Sequence, residues 1–568
     1  MDRRGKQAII GTLIALVLFA VIIGAAIIKK FTPSNQVMNL TDYYKLNTQE
    51  VAVILQDKIY DKKALSEGGT IYLDYDTVTG LLNKRFYWDA NENLLSYTTP
   101  TEIIKAEAGS KDYTVNEDKN EMDYPVVIRK GEVPYIALDF VKQYSDMRYE
   151  YFSTPDRIVI QYQWGDYLFT KVKKDSKLRY EPDIKSDILA ELKAEDLLSY
   201  VDTSEVVKNG FSKVMTKDGI IGYVQSKYVE ESYYDSVKSD FRAPEYTHIK
   251  EDGAVNLVWH QVTNRDANNN LTKLINKTKG VTAISPTWFT ITDSTGNIAS
   301  LADKSYVEKA HSLGIKVWAL VDDFNTEVSM TELLSHTSSR EKLIQELLKE
   351  AKEYDLDGIN IDFEKIPEGA GIHYIQFIRE LSVTCRNEGI VLSIDNYVPS
   401  SYTTYYDREE QGIVADYVVI MAYDEHHAGS EESGSVSSLG FVDNAITNIL
   451  EMVPKERVIM GIPFYTRQWK ETTEDNGSIS VSSEAFGMVN AQSVLENNGV
   501  EPKWDDKTGQ YYGEYEKDGA TYKIWLEEED SIEAKLKLIN KAGMAGIACW
   551  KLGLEDSKIW NIINKYIK

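Results

Sequence analysis

Eight short apolar segments recur between residues 254 and 550: Ala254–Trp259, Val281–Ser285, Val317–Val321, Gly358–Phe363, Val391–Asp395, Tyr417–Ala422, Val458–Ile462 and Ala545–Trp550. Most intervals between them carry apolar residues at helical spacing. Before the fourth segment, for example, Leu343, Ile344, Leu347, Leu348 and Ala351 share one face. Strands that alternate with helices build a parallel sheet, because each parallel connection needs a crossover. Eight such units are the number that closes a (β/α)8 barrel. The interval from Tyr465 to about Asp530 is too long for one crossover and is rich in Tyr, Gly and Asp. It predicts a small α+β insertion walling one side of the barrel's mouth.

The fourth segment reads Asp357-Gly358-Ile359-Asn360-Ile361-Asp362-Phe363-Glu364. Apolar and polar residues alternate with the period of a strand. Asn360, Asp362 and Glu364 therefore project to one side, and Ile359, Ile361 and Phe363 to the other. Acids are seldom buried in register unless they are used, and barrel enzymes present their acids at the carboxyl ends of their strands. Asp357 sits at the strand's start with opposite parity and reads as a structural or supporting group. Other segment ends carry Trp288, Tyr423, Asp424, Tyr465, Arg467 and Trp550. An indole beside carboxylates makes a good floor for a saccharide, whose C–H faces stack on aromatic rings.

The net charge of −26 makes nucleic acid an unsuitable partner. It fits a protein that acts outside the cytoplasm on a neutral polymer. The two cysteines, Cys385 and Cys549, are too few for a disulfide scaffold or a four-cysteine metal site, and read as packed thiols. His426 and His427 are adjacent, but no further ligand set accompanies them, so neither metal nor cofactor is expected. Residues 8–28 form an uncharged apolar run of bilayer-spanning length, preceded by Arg3, Arg4 and Lys6 and followed by Lys29 and Lys30. The run reads as a transmembrane signal anchor with residues 1–7 in the cytoplasm. A cleaved signal peptide is the rival reading. Either places the rest of the chain outside the cytoplasm.

Residues 29–45 are polar and read as a linker. An internal repeat follows over 46–165: Tyr72–Asp76 aligns with Tyr135–Asp139, and Arg85–Trp88 with Arg148–Tyr151. Each half reads as strand, short helix, aromatic strand, turn and strand. This α+β stalk resembles the N-terminal domain of copper amine oxidases, but without a histidine cluster it carries over no copper. Residues 170–232 predict short strands only. They resemble bacterial SH3-like domains in the closing run Gly222-Tyr223-Val224, with Phe211 where those domains usually carry tryptophan.

The octapeptide resembles the signature of glycoside hydrolase family 18, the chitinase-like family, and the likeness extends over about 240–568. The family pattern has acids at the first, fourth, sixth and eighth places. Here the fourth is Asn360. The resemblance implies hydrolysis of β-1,4 bonds next to N-acetylglucosamine, in peptidoglycan or chitin. It implies that Glu364 is the general acid and base. The substrate's acetamido oxygen would be the nucleophile, Asp362 the partner of the acetamido N–H, and Tyr423 the donor to its oxygen. Asp424 and Asn360 would support these groups, Trp550 would lie under the cleaved sugar, and Arg467, Tyr465 and Trp288 would line the cleft. Ser285–Trp288 and Met421–His426 resemble the spore-germination and cell-wall branch. An amide at 360 removes a like charge beside Asp362, so less should push its pKa upward. Glycoprotein glycans as substrate, or a sugar-binding protein without activity, are the alternatives.

Overall fold

The structure, a computed structural model, describes residues 3–201 and 208–567. Its residues fall into two compact units. One comprises 1–88, 106–113 and 119–243, and the other 89–105, 114–118 and 244–568.

The second unit is a closed parallel barrel. Its strands are β1 (Val255–His260), β2 (Ala283–Ile291), β3 (Lys316–Asp322), β4 (Gly358–Asp362), β5 (Val391–Tyr397), β6 (Tyr417–Met421), β7 (Val458–Pro463) and β8 (Gly546–Trp550). Each pairs in parallel with the next, and β8 pairs with β1. All eight segments read from the sequence are strands. Alternation divides the core into two layers. Leu257, Trp259, Trp318, Leu320, Val419 and Ile459 fill the barrel's interior. Val258, Ile284, Ile359, Ile361 and Phe363 pack outward against the helices. Two of these helices are α1 (Thr337–Tyr354) and α2 (Gly371–Glu388).

The expected insertion leaves β7 directly. Its sheet orders strands Ile479–Gly487, Tyr465–Thr473, Ala520–Leu526, Gln510–Lys517 and Lys503–Asp505. A helix, Met488–Asn497, packs on this sheet through Ala491 and Leu495. Both cysteines are free and buried, as read.

In the first unit, the repeat is visible as a pairing of its own two copies. Thr70–Asp74 lies antiparallel to Val133–Ala137, with Leu73 opposite Ile136. Seven strands, from Gly165–Lys171 to Tyr233–Val237, form an antiparallel sheet around Val172, Leu178, Val214 and Val224. The linker expectation over 29–45 needs correction. Val37 bridges to Ile188, and Asn39 caps a short helix, Leu40–Tyr44. Tyr44 is buried against Ala52 and Ile54, while Met38, Leu40 and Tyr43 pack on the all-β core. These apolar and aromatic residues, spaced to bury one face, outweigh the polar composition around them. Arg3–Phe31 is one 29-residue helix with mean hydropathy 2.8 in its most apolar window and no buried residue, so it is long and apolar enough to cross a membrane.

The segment expected as stalk divides between the units, and residues 89–105 and 114–118 belong with the barrel. Asp89 shows why. It is 1% exposed, and its Oδ2 accepts from the Thr337 backbone N–H at 2.6 Å and from the Thr337 hydroxyl at 2.7 Å. Helix α1 has no cap from its own N-cap residue, His336, so Asp89 supplies it from far along the chain. Glu92 accepts from Ser338, and Arg386 and Asn387 on α2 donate to the carbonyls of Pro100 and Thr101. Asp89→Ala would orphan buried donors at a helix start, at a cost of about 2 kcal/mol. Calorimetry should show the barrel's transition lowered by at least about 2 °C.

Candidate active site

The mouth of the barrel is built from alternation. With Ile359 and Ile361 outward, Asn360 and Asp362 must point inward, and both are buried. Glu364 lies two residues past the end of β4 and is half-buried. Its backbone N–H and that of Lys365 donate to the two oxygens of Asp323, at 2.9 and 2.8 Å. The end of β3 thus pins the turn that carries Glu364. Tyr397, the last residue of β5, donates its hydroxyl to Glu364 Oε2.

Asn360 is the hub of the interior. Its Oδ1 accepts from Trp259 Nε1 at 3.1 Å and from the Ser285 hydroxyl at 2.9 Å. Its Nδ2 donates to Ser393 Oγ at 3.0 Å and to Asp395 Oδ1 at 2.8 Å. The amide thereby uses all four of its hydrogen-bonding positions. Four strands, β1, β2, β4 and β5, meet at this one side chain only if their registers agree, with β5 contributing both Ser393 and Asp395.

The carboxyls around this hub are shifted upward. Burial raises Asp362 well above the usual carboxylate range, and the charge of Asp395 adds to it, followed by Glu364, Asp323 and Asp322. Burial likewise pushes Asp395 up to about 8, against hydrogen bonds from Asn360 and Trp259. Glu364 is raised by burial, while the Tyr397 hydrogen bond pulls it down. Asp362 Oδ1 and Asp395 Oδ2 are buried without a hydrogen-bond partner. The expectation that Asn360 relieves Asp362 of a like-charged neighbour is therefore corrected. Asp395, on the adjacent strand, supplies one.

Aromatic rings complete the mouth. Trp259 meets Trp550 edge-on at 5.9 Å and Tyr423 at 6.4 Å, and Tyr423 meets Tyr465 at 6.3 Å. Gly461 on β7 makes room for Tyr423, since a Cβ there would lie 3.3 Å from its ring and 2.9 Å from the Ile420 carbonyl. Burial raises the hydroxyls of both Tyr423 and Tyr465, so each remains a donor. Tyr465 donates to Asp424, which adopts a left-handed backbone with φ 57°. Arg467 follows on the same face of the insertion's strand and donates to Ser483 at 3.1 Å.

Two expectations fall elsewhere. Trp288 is 1% exposed, donates to Asn268 at 2.9 Å and packs edge-on against Tyr306 in the outer core. It therefore does not line the cleft. A register shift between Thr287 and Phe289 breaks the alternation of β2 at this point. Asp357 lies at the other end of β4, bonded to His311, Lys316 and the Val317 N–H, as its parity implied. Conversely, Trp259, Asp323, Asp395 and Tyr397 went unnoticed in the sequence. The acids at the ends of β3 and β5 were the available signal.

Carboxyls raised by burial at the mouth of a closed barrel, beside indole rings suited to a sugar's face, define a glycosidase-type hydrolase. The chain belongs to the glycosyl hydrolases family 18, whose sequence profile matches residues 258–555, just over half of it. Residues 53–160 match the copper amine oxidase N-terminal domain. The chain is 25% identical over 289 residues to the uncharacterized glycosylase YvbX of Bacillus subtilis, covering 49% of this chain and 82% of that protein. It is 26% identical over 239 residues to the cortical fragment-lytic enzyme of B. subtilis, covering 41% of this chain but only 54% of that protein. The crystal structure of the Bacillus cereus spore cortex-lytic enzyme SleL shares the fold, with TM-score 0.50 and 21% identity, over 57% of this chain and 76% of that one.

The raised carboxyls carry a stability signature. A carboxyl whose folded pKa is raised stabilises fully below its unfolded value, and that stability is lost as pH rises through the folded pKa. For Asp395 the loss runs from the ordinary carboxylate range, about 4, up to about 8. Across that window the melting temperature of Asp395→Asn should fall less steeply with pH than that of the wild type. Parallel slopes would contradict the assignment.

Proposed function

We propose that this enzyme hydrolyses β-1,4 bonds next to N-acetylglucosamine with retention, using the substrate's own acetamido group as nucleophile, and that its polymer is peptidoglycan. The observation that carries the reading is Asp362 Oδ1, a buried acceptor without a protein partner, two residues before a half-buried acid. Alternate residues of a strand lie about 7 Å apart along it. That separation suits Asp362 to the 2-acetamido group and Glu364 to the glycosidic oxygen. Substrate assistance removes the need for a carboxylate nucleophile.

In this reading Glu364 protonates the leaving oxygen, and its raised pKa keeps the proton available. The acetamido oxygen attacks C1 and gives an oxazolinium ion. Asp362 accepts the acetamido N–H and stabilises the positive charge. Tyr423 donates to the acetamido oxygen and aims it. Glu364, now a carboxylate, then activates water. Trp550 floors the cleaved sugar, while Tyr465, Asp424 and Arg467 form the wall on the insertion's side. No step requires a metal or a cofactor.

The polymer is argued from company. The N-terminal helix, read as a signal anchor, would hold the barrel at the outer face of the membrane, next to the wall. The relatives include enzymes named for lysis of cortical fragments. Chitinase relatives support chitin as the second reading, among them chitinase B of Serratia marcescens, 23% identical over 333 residues.

Two measurements test the reading. The full chain in detergent is incubated with purified peptidoglycan and, separately, with chitin oligomers. Mass spectrometry of the products should reveal muropeptides ending in reducing N-acetylglucosamine. Glu364→Gln should lose at least about 10³-fold in kcat while still binding sugar. Wild-type-like turnover in that variant removes Glu364 from its role, and cleavage of chitin alone moves the substrate. Tyr397→Phe removes a hydrogen bond that lowers the Glu364 pKa. Glu364 then holds its proton to higher pH, so the alkaline limb of kcat/KM should move upward. A limb that stays in place or moves down refutes the link.

A further inference from the structure

We infer that Asp395 is a positioning residue that exchanges one proton with Asp362, so that Asp362 turns its charge to the substrate while Asp395 Oδ2 takes the proton. The inference deepens the proposed function and rests on its reading of Asp362.

The geometry leaves one group for this task. Asn360 precedes Asp362 by two residues on β4 and donates to Asp395 on the adjacent strand, and its four hydrogen-bonding positions are filled by Trp259, Ser285, Ser393 and Asp395. An amide so saturated can neither take up a proton nor carry charge. Asp395 is 2% exposed and Asp362 5%. Each keeps one oxygen partnered by nothing in the described residues, Oδ2 of the former and Oδ1 of the latter. Asn360 ties down only Oδ1 of Asp395, which leaves Oδ2 able to receive a proton.

The surroundings forbid two charges. Facing the pair are Asp322 and Asp323 at the end of β3, Glu364 beyond β4, Tyr397 on β5, Tyr423 beyond β6, and Tyr374 on α2 with Arg408 behind it. None of these neighbours is a cation in contact with either carboxyl. Two buried carboxylates without a counter-charge share a proton, because like charges at close quarters cannot both ionise.

The step balances within the pair. In the free enzyme the proton sits on Asp362. As positive charge grows on the substrate, the O–H bond of Asp362 breaks and one forms at Asp395 Oδ2. The pair holds one proton and one negative charge before and after, so no external acid or base takes part. Asp362 is then a full carboxylate when the oxazolinium forms, and a neutral acid when the site is empty.

The test combines a spectroscopic and a kinetic arm on the full chain in detergent. Infrared titration of the wild type should show a protonated-carboxyl C=O band that persists at neutral pH and is lost only as the pH is raised further. Asp395→Asn should lack that step. With chitin oligomers as probe, Asp395→Asn should lose on the order of 10²-fold in kcat, with KM little changed and the pH profile altered. The double variant Asn360→Asp/Asp395→Asn moves the acid to β4 and should recover at least about tenfold of that loss. A purely structural role for Asp395 predicts no such recovery. No elevated carboxyl in the wild type overturns the inference, as does an Asp395→Asn variant with wild-type kcat and pH profile, or a folded double variant no better than the single one. If Asp395→Asn does not fold, the wild-type infrared titration decides. If the wild type cleaves neither peptidoglycan nor chitin, the proposed function fails, and the infrared arm judges the proton pair by itself.

Discussion

Everything at the mouth of this barrel depends on how acids are kept inside it without an ion pair among the described residues. An isolated buried carboxylate is too costly to retain. Asp362, Asp395, Asp323 and Asp322 are nevertheless all buried there. Hydrogen bonds replace counter-charges where they can. Asp323 receives two backbone N–H groups, Asp322 receives the Phe324 N–H and the Thr290 hydroxyl, and Asp395 receives Asn360. Protons replace them elsewhere, as the raised Asp362 and Asp395 record. An amide at position 360 suits this economy, since it can donate to one side and accept from the other without adding charge.

The scaffold was largely legible because its signals are periodic. Each of the eight strands announces itself as an apolar run, and the alternation of Asn360 and Asp362 with Ile359 and Ile361 is enough to place these two polar residues on the barrel's inner face. The α+β insertion was legible from length alone. Tyr465, Tyr423 and Trp550 were found because they sit at strand ends, where the barrel opens.

What escaped was pairwise. Nothing in the run Val391–Tyr397 says that Asp395 faces Asn360, because that contact depends on the register between two strands distant in sequence. Trp288 misled for a related reason: a shift in the pairing of β2 turns its indole into the outer core. The glycines were equally silent. Gly358 is required because a Cβ would strike the Trp318 indole at 2.7 Å, and that ring arrives from the neighbouring strand. The short helix Leu40–Tyr44 hid in a polar stretch whose few apolar residues found a surface to cover.

The cap that Asp89 places on helix α1 bears on how such a chain can be cut and recombined. The barrel's compact unit is discontinuous in sequence, since it draws on residues 89–105 and 114–118 as well as on 244–568. A fragment that begins near residue 244 would leave the start of α1 without its carboxylate and α2 without the carbonyls its Arg386 and Asn387 hold. Gene fusions that treat the barrel as a portable cassette would sever these bonds. Exchange of residues 89–105 among relatives is therefore constrained by the helices they touch, and those residues are expected to vary together with α1 and α2.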